Sequence, residues 1–240
     1  MKIIAFASGS GGAGKSVTAA YTGVALAKEG KRVLLMEMGA SPRSQDVILG
    51  LAGQSLFHIR DFLDMACDFD SLVCQSAAQP GLSVVLGPPA GLTRPIDGDS
   101  LSTLLSNVPD TYEYVLLDSV DFTLVPPSLV DTVLVVAEPL TLSIRSAATL
   151  VAALEDAGAG NMRLIINRVP AEILPMRDVG DFDDVVDMVG ARLIGVVPES
   201  RKLCYAANNT ERLADDSITP QVYRRIARRL LGHNEPLLIR

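Results

Sequence analysis

Residues 9–16 read GSGGAGKS, and the residues on both sides of that octet favour regular structure. The apolar run IIAFA precedes it. A helical stretch from about Lys15 to Glu29 follows, and Gly30 is placed to stop it. The octet satisfies G-x-x-x-x-G-K-[ST] in full, and a strand in front with a helix behind is the setting that pattern requires. A strand that turns tightly into a helix is the first half of a βαβ unit, which constrains the fold more than any bulk property. An ordinary glycine-rich strand–helix turn is the alternative reading of the same residues.

Six more runs repeat the strand signal: RVLLME, LSVVLG, YVLLDS, TVLVVAE, RLIIN and LIGVVP. They are apolar with almost no alternation, as strands are when helices cover both faces of a parallel sheet. A second clear helix is expected over Leu142–Ala157, ended by Gly158. The alternation predicts an α/β fold, doubly wound, with a mostly parallel sheet and helices on both faces. With 240 residues and no dividing linker, the chain reads as a single domain, 1–240. Region 52–80 is the least regular and is expected to hold short helices, and LGPPAGLTRP at 86–95 reads as a loop.

The loop residues imply a chemistry. Gly11, Gly12 and Gly14 let backbone N–H groups turn inward around phosphates. The helix N-terminus adds partial positive charge. Lys15 is placed to reach the outer phosphates of a nucleotide, and the Ser16 hydroxyl to ligate Mg²⁺. A second acid should complete the magnesium site. Asp118 closes the apolar run YVLLD about a hundred residues later, as a Walker B aspartate does; a helix N-cap is the other role open to it.

Other classes find less support. The formal net charge of −7 does not favour nucleic acid. Cys67, Cys74 and Cys204 lack metal-ligand spacing and read as reduced thiols. His58 and His233 have no Cys or acid companions at ligand spacing, so no catalytic grouping follows from them. The acidic residues Asp181, Asp183, Asp184 and Asp187 read as a solvated cluster. The N-terminal apolar run is too short for a signal peptide, and no run approaches a membrane span, so a cytoplasmic protein is expected.

The chain resembles the MinD/ParA group of deviant Walker A P-loop NTPases, most closely its MinD branch. The resemblance runs nearly end to end through GSGGAGKS, KRVLLMEMGASPRSQDVILG, YVLLDS, LIINR, RLIGVVPES and AANNTERL. It implies ATP or ADP with Mg²⁺ as cofactors, a nucleotide-dependent homodimer, and a role in placing the division site or another cell structure. Gly11, Gly12, Ala13, Gly14, Lys15, Ser16 and Val17 would line the phosphates. Asp118 would be the Walker B acid, holding Mg²⁺ with Ser16. Asn167 would hydrogen-bond adenine, with Arg168 near the base and Pro198 and Glu199 on its far side. Taken by itself, Asn167 also reads as a strand-terminal turn residue.

Three features depart from the family pattern. The lysine that would cross the dimer falls at Ser10, and a hydroxyl has neither its reach nor its charge. The first switch, D-x-D in the family, reads Glu37, Met38, Gly39, so the water-orienting acid is missing. The second switch, usually D-x-P-x-G, carries Val120 and Phe122 at the proline and glycine places. If each loss resembles the deletion of a charge-stabilising group, at ~10²–10³ apiece, hydrolysis should be slow or absent. Glu37 and Asp121 are the acids near enough in sequence to substitute.

The tail TPQVYRRIARRLLG predicts an amphipathic helix. Val222, Tyr223, Ile226, Ala227, Leu230 and Leu231 lie on one face, and Arg224, Arg225, Arg228 and Arg229 on the other. Packing on the domain with a solvated arginine face is preferred over binding to membrane or nucleic acid. The family's further membrane-targeting helix is not supplied by NEPLLIR, so membrane association by that route is not expected. A metal- or cofactor-maturation chaperone and a DNA-partitioning ATPase are the alternative functions on this fold. The first would want a close cysteine pair and the second a basic surface.

Overall fold

The computed structural model describes residues 1–39, 43–76, 79–89, 96–170, 182–209 and 217–237. Asp181, residues 90–95 of the expected loop and the TERL of AANNTERL lie outside them. The strands are β1 (Lys2–Ala7), β2 (Val33–Glu37), β3 (Val73–Gln75), β4 (Leu82–Val85), β5 (Tyr114–Asp118), β6 (Thr132–Ala137), β7 (Met162–Val169) and β8 (Arg192–Pro198). They form one sheet in the order β3-β4-β2-β5-β1-β6-β7-β8. Every pairing is parallel except β3 with β4. The seven strands expected from the apolar runs are all present; the short antiparallel β3 has no such run behind it.

The helices are α1 (Lys15–Lys28), α2 (Gln45–Ile48), α3 (Ile59–Leu63), α4 (Gly98–Ser106), α5 (Thr141–Asp156), α6 (Phe182–Val189), α7 (Arg201–Asn209) and α8 (Ile218–Leu230). Alternate residues of β1 explain the layering. Ile4 and Phe6 enter one core with α1 and α8. Ala5 packs on the opposite face among residues of α3 and α4, and Ala7 among residues of α5 and α6. A strand buried on both faces has no polar side to show, which is why these runs do not alternate.

α8 buries Val222, Tyr223, Ile226 and Ala227 against the domain. The Tyr223 ring stacks on Tyr21 at 5.5 Å, and its buried hydroxyl donates to Thr18 Oγ1 at 3.4 Å. The packed-helix expectation therefore holds, but the arginine face is not simply solvated. Arg224 pairs with Glu29 at 2.7 Å and Arg228 with Glu235 at 2.6 Å. Arg225 donates to the Pro236 carbonyl, and Arg229 to the carbonyls of Glu235 and Ile194. The chain after α8 folds back along the helix, so its own carbonyls and a carboxylate meet the guanidinium groups. No helix among the described residues is long and apolar enough to cross a membrane.

Candidate functional site

The carboxyl ends of β1, β2 and β5 lie side by side. Asp118 is in register with Phe6 on one neighbour and Glu37 on the other. In an open parallel sheet this edge, where neighbouring connections diverge, is where ligands bind. The glycine loop leaves β1 here and enters α1. Its first helical bond runs from Thr18 N–H to the Gly14 carbonyl, and α1 then presents its N-terminal amides along the axis.

Close approach decides two of the loop glycines. A Cβ on Gly9 would run into the Ser146 carbonyl, because α5 passes against the loop. Gly14 holds φ at +93°, and a side chain there would collide with the Asn167 amide. That amide donates from Nδ2 to the Ala13 carbonyl at 2.8 Å, tying the end of β7 to the loop. Asn167 is buried, and Arg168 beside it adopts a left-handed backbone, φ 56°, at a break in the β7–β8 register. The Arg168 guanidinium pairs with Glu138 at 2.7 Å. Pro198 ends β8, and the Glu199 N–H donates to the Val169 carbonyl at 2.8 Å, so both stand on the same edge.

Lys15 is half-buried and donates to Ser8 Oγ at 2.8 Å, while Ser8 Oγ donates to the Ser10 carbonyl at 2.6 Å. Burial holds the Lys15 ammonium below the usual lysine range, and the charge of Asp118 partly opposes this. Ser16 Oγ donates to Asp118 Oδ1 at 3.1 Å and Ser119 Oγ to the same oxygen at 2.9 Å. Ser119 is itself left-handed, φ 64°, one residue after the acid. Among the described residues, two of the three non-glycine residues with positive φ therefore directly follow Asp118 and Asn167; such backbone persists where surrounding contacts hold it.

Glu37 and Gln45 complete the arrangement. Glu37 is 4% exposed, and donors use both its oxygens. Oε1 accepts from the Ser44 N–H at 2.6 Å, the Ser44 hydroxyl at 3.0 Å and the Gln45 N–H at 3.2 Å. Oε2 accepts from the Gly87 N–H at 3.1 Å. Burial raises its pKa, and the bonds from Gly87 and Ser44 pull the other way. The clamp starts α2, whose first residue, Gln45, donates from Nε2 to Asp118 Oδ2 at 2.7 Å and to the Ser16 carbonyl at 3.0 Å. Motif spacing gave no sign of Gln45, Ser8 or Ser119. Each acts on its partner through the fold.

The two acids considered as substitutes are not free at the site. The Glu37 carboxylate is committed to the clamp. Asp121 is exposed, and its carboxylate accepts from the Thr123 N–H and hydroxyl, capping a local turn. Gly39 is buried with φ at +74°, and a Cβ there would stand 2.9 Å from the Pro88 ring. Ser10 Oγ lies 3.4 Å from Ser143 Oγ of α5 in the same chain. Phe122 packs against the cores on the α5 and α4 side of the sheet rather than forming an open hinge.

Ser16 and Asp118 bring a hydroxyl and a carboxylate to one point, an oxygen donor set suited to a hard cation such as Mg²⁺. Asp118 is only 1% exposed, and burial raises its pKa despite the bonds from Gln45, Ser119 and Ser16. With its folded pKa above its unfolded one, this group favours the folded state most at low pH, and that contribution is lost as pH rises through the folded value. Asp118→Asn is therefore expected to raise the Tm of the ligand-free protein at pH 7–8. The Asn oxygen can keep the Gln45 bond, and both serine hydroxyls can turn to accept. A gain of ~1 kcal/mol corresponds to roughly 2–4 °C, readable by calorimetric melting at pH 5 and pH 8, with the difference larger at pH 8. Were Asp118 a ligand of Mg²⁺ beside a bound nucleotide, the same variant would also lose the Mg²⁺-dependent part of nucleotide affinity.

Comparison with known proteins agrees with this fold. Residues 4–213 match the family described as the CobQ/CobB/MinD/ParA nucleotide binding domain. The septum site-determining protein MinD of Synechocystis is 28% identical over 249 residues, covering 99% of this chain and 92% of that protein. Its Bacillus subtilis counterpart is 27% identical over 252 residues, covering 98% and 91%. The MinD cell division protein of Aquifex aeolicus, solved in complex with MinC, has a TM-score of 0.90 at 30% identity, covering 100% of this chain and 99% of that one.

Proposed function

The chain belongs to the CobQ/CobB/MinD/ParA nucleotide-binding domain family, and on that premise we propose that it is a MinD-like switch that binds ATP with Mg²⁺ and hydrolyses it slowly or not at all. The observation that carries the reading is the meeting of the loop with the β5 acid, Ser16 Oγ on Asp118 Oδ1 at 3.1 Å, with Lys15 one residue earlier. Lys15 would neutralise the outer phosphates, and the loop amides would cradle them. Ser16 and Asp118 would hold the Mg²⁺, which when bound neutralises phosphate charge. Asn167, Arg168, Pro198 and Glu199 would surround the base, with Asn167 exchanging its Ala13 partner for adenine. Residues 1–240 form one such nucleotide domain on this reading.

Impaired hydrolysis rests on the fate of the altered residues. Phosphoryl transfer depends on positioned charge and an oriented water. Glu37 and Asp121 are engaged elsewhere, a side chain at position 39 would meet Pro88, and Ser10 faces its own α5. Binding without rapid turnover suits a scaffold that assembles in one nucleotide state. Leu140 and Leu142 flank the start of α5 beside the loop and are 58% and 78% exposed, which supports a dimer closing over the nucleotides. The Aquifex MinD in complex with MinC is the precedent for a protein partner. We place the protein in the cytoplasm, reaching a membrane through such a partner, with spatial positioning of the division site or another structure as its role.

ATP and ADP binding by calorimetry, combined with native mass measurement, tests the switch. Both nucleotides are expected to bind, and ATP alone to yield the dimer. Failure to bind either one overturns the proposal. Sustained phosphate release that Lys15→Ala abolishes would instead overturn the claim of impaired hydrolysis.

A further inference from the structure

Among the described residues of the site, Gln45 is the one whose polar side chain is both fully buried and half-satisfied. It is 0% exposed, and its Oε1 has no hydrogen-bond partner among the described residues. Its orientation is fixed by chemistry. The Ser16 carbonyl and Asp118 Oδ2 are acceptors at 3.0 and 2.7 Å, so the NH₂ end must face them and the oxygen must face away. An orphaned buried acceptor costs about 1–3 kcal/mol. That cost is hard to explain in a side chain serving only as a strut.

The location supplies a reason. Asp118 already accepts from Ser16, Ser119 and Gln45, so three donors share its two oxygens. Mg²⁺ keeps several of its waters when it binds protein, and each polarised water needs an acceptor. Gln45 Oε1 sits on the same planar amide that holds the carboxylate and the Ser16 backbone, with its acceptor capacity unused.

We propose that Gln45 is a positioning residue of the magnesium site: Nε2 holds Asp118 and Ser16 in place, and Oε1 accepts a hydrogen bond from a water of the hydrated cation. The inference rests on the nucleotide·Mg²⁺ reading above and adds a residue to it. It also gives the clamp around Glu37 a purpose, because Glu37 holds the Gln45 backbone N–H and so sets where the amide stands. Groups that orient a metal's ligands commonly contribute about 10–100-fold to metal affinity.

The test is ADP binding by calorimetry for wild type and Gln45→Met, once with excess Mg²⁺ and once with EDTA, with melting curves to establish folding. Methionine keeps the length and bulk but neither donates nor accepts strongly. Gln45→Met is expected to match wild type within about twofold in EDTA and to lose roughly tenfold of the Mg²⁺-dependent gain. An unchanged gain in the folded variant, or equal losses in both buffers, overturns the proposal in favour of a structural amide or a structural water. Gln45→Glu covers the case in which the methionine variant does not fold. The glutamate loses the Nε2 donor and sets a carboxylate against Asp118 Oδ2 and the Ser16 carbonyl, so the Mg²⁺ concentration at half-effect should rise severalfold, and an unchanged or lowered midpoint is the contrary result. If wild type binds ADP in neither buffer, the nucleotide reading itself fails and this inference falls with it.

Discussion

Lys15→Ala is expected to weaken ATP binding roughly a hundredfold while leaving the melting temperature nearly unchanged. The two halves of that expectation have different causes. The ammonium is half-buried against a neutral hydroxyl, Ser8 Oγ, and burial lowers its pKa. Truncation therefore removes one hydrogen bond and relieves a desolvation cost, two changes that nearly offset each other. On the proposed reading, a bound triphosphate would set several anionic oxygens before the same ammonium. A hydrogen bond between charged groups contributes about 1.5–3 kcal/mol, and 1.4 kcal/mol is tenfold in affinity. Calorimetric titration at fixed Mg²⁺ measures the loss. A change below about threefold would place Lys15 away from the phosphates.

Glu37→Ala should be the most destabilising single change at the site, at ~3 kcal/mol or a Tm lowered by roughly 6–12 °C. The buried carboxylate is the common acceptor for the N–H groups of Ser44, Gln45 and Gly87. Alanine leaves those donors without a partner where little water reaches. The raised pKa of Glu37 shows that burying the charge is itself costly, so the net effect is smaller than the sum of the lost bonds. Glu37→Gln separates the contributions. Its oxygen can serve Ser44 and Gln45, but its NH₂ would confront the Gly87 N–H, so about half the loss is expected. Were Glu37 a catalytic base instead, both variants would melt like wild type and differ only in phosphate release. Chemical or thermal denaturation decides between the two.

Much of the fold was legible because its signals are local. Runs such as VLLME and YVLLD carry no polar alternation, which only a sheet covered on both faces tolerates. The tail helix was legible as amphipathic, but its arginines were not. Their partners are Glu29, just past the end of α1, the Ile194 carbonyl of β8 and the stretch after α8 that folds back, none of which periodicity reveals. The edge strand β3 went unseen because three residues carry no periodicity.

The candidate site divides the same way. Gly9 to Ser16 identify themselves, since the loop needs glycine torsions and one lysine at fixed spacing along a single stretch of chain. Asp118 could be named as a strand-terminal acid. That it lies beside Ser16 is a matter of strand order, which places β5 next to β1. The loss of the family's acid at position 39 was readable, but the reason a side chain would not fit there, Pro88, comes from another strand end. Glu37 looked like a spare catalyst and proved to be a clamp, because four donors converge on it from two segments far apart in the chain. By itself the sequence determined the glycine loop and the residues proposed to hold a phosphate, because they lie within one short stretch of chain. Only the tertiary structure decided what surrounds them. A carboxylate's role depends on which donors reach it and how little water does, and both are set by segments that meet only when the sheet is assembled.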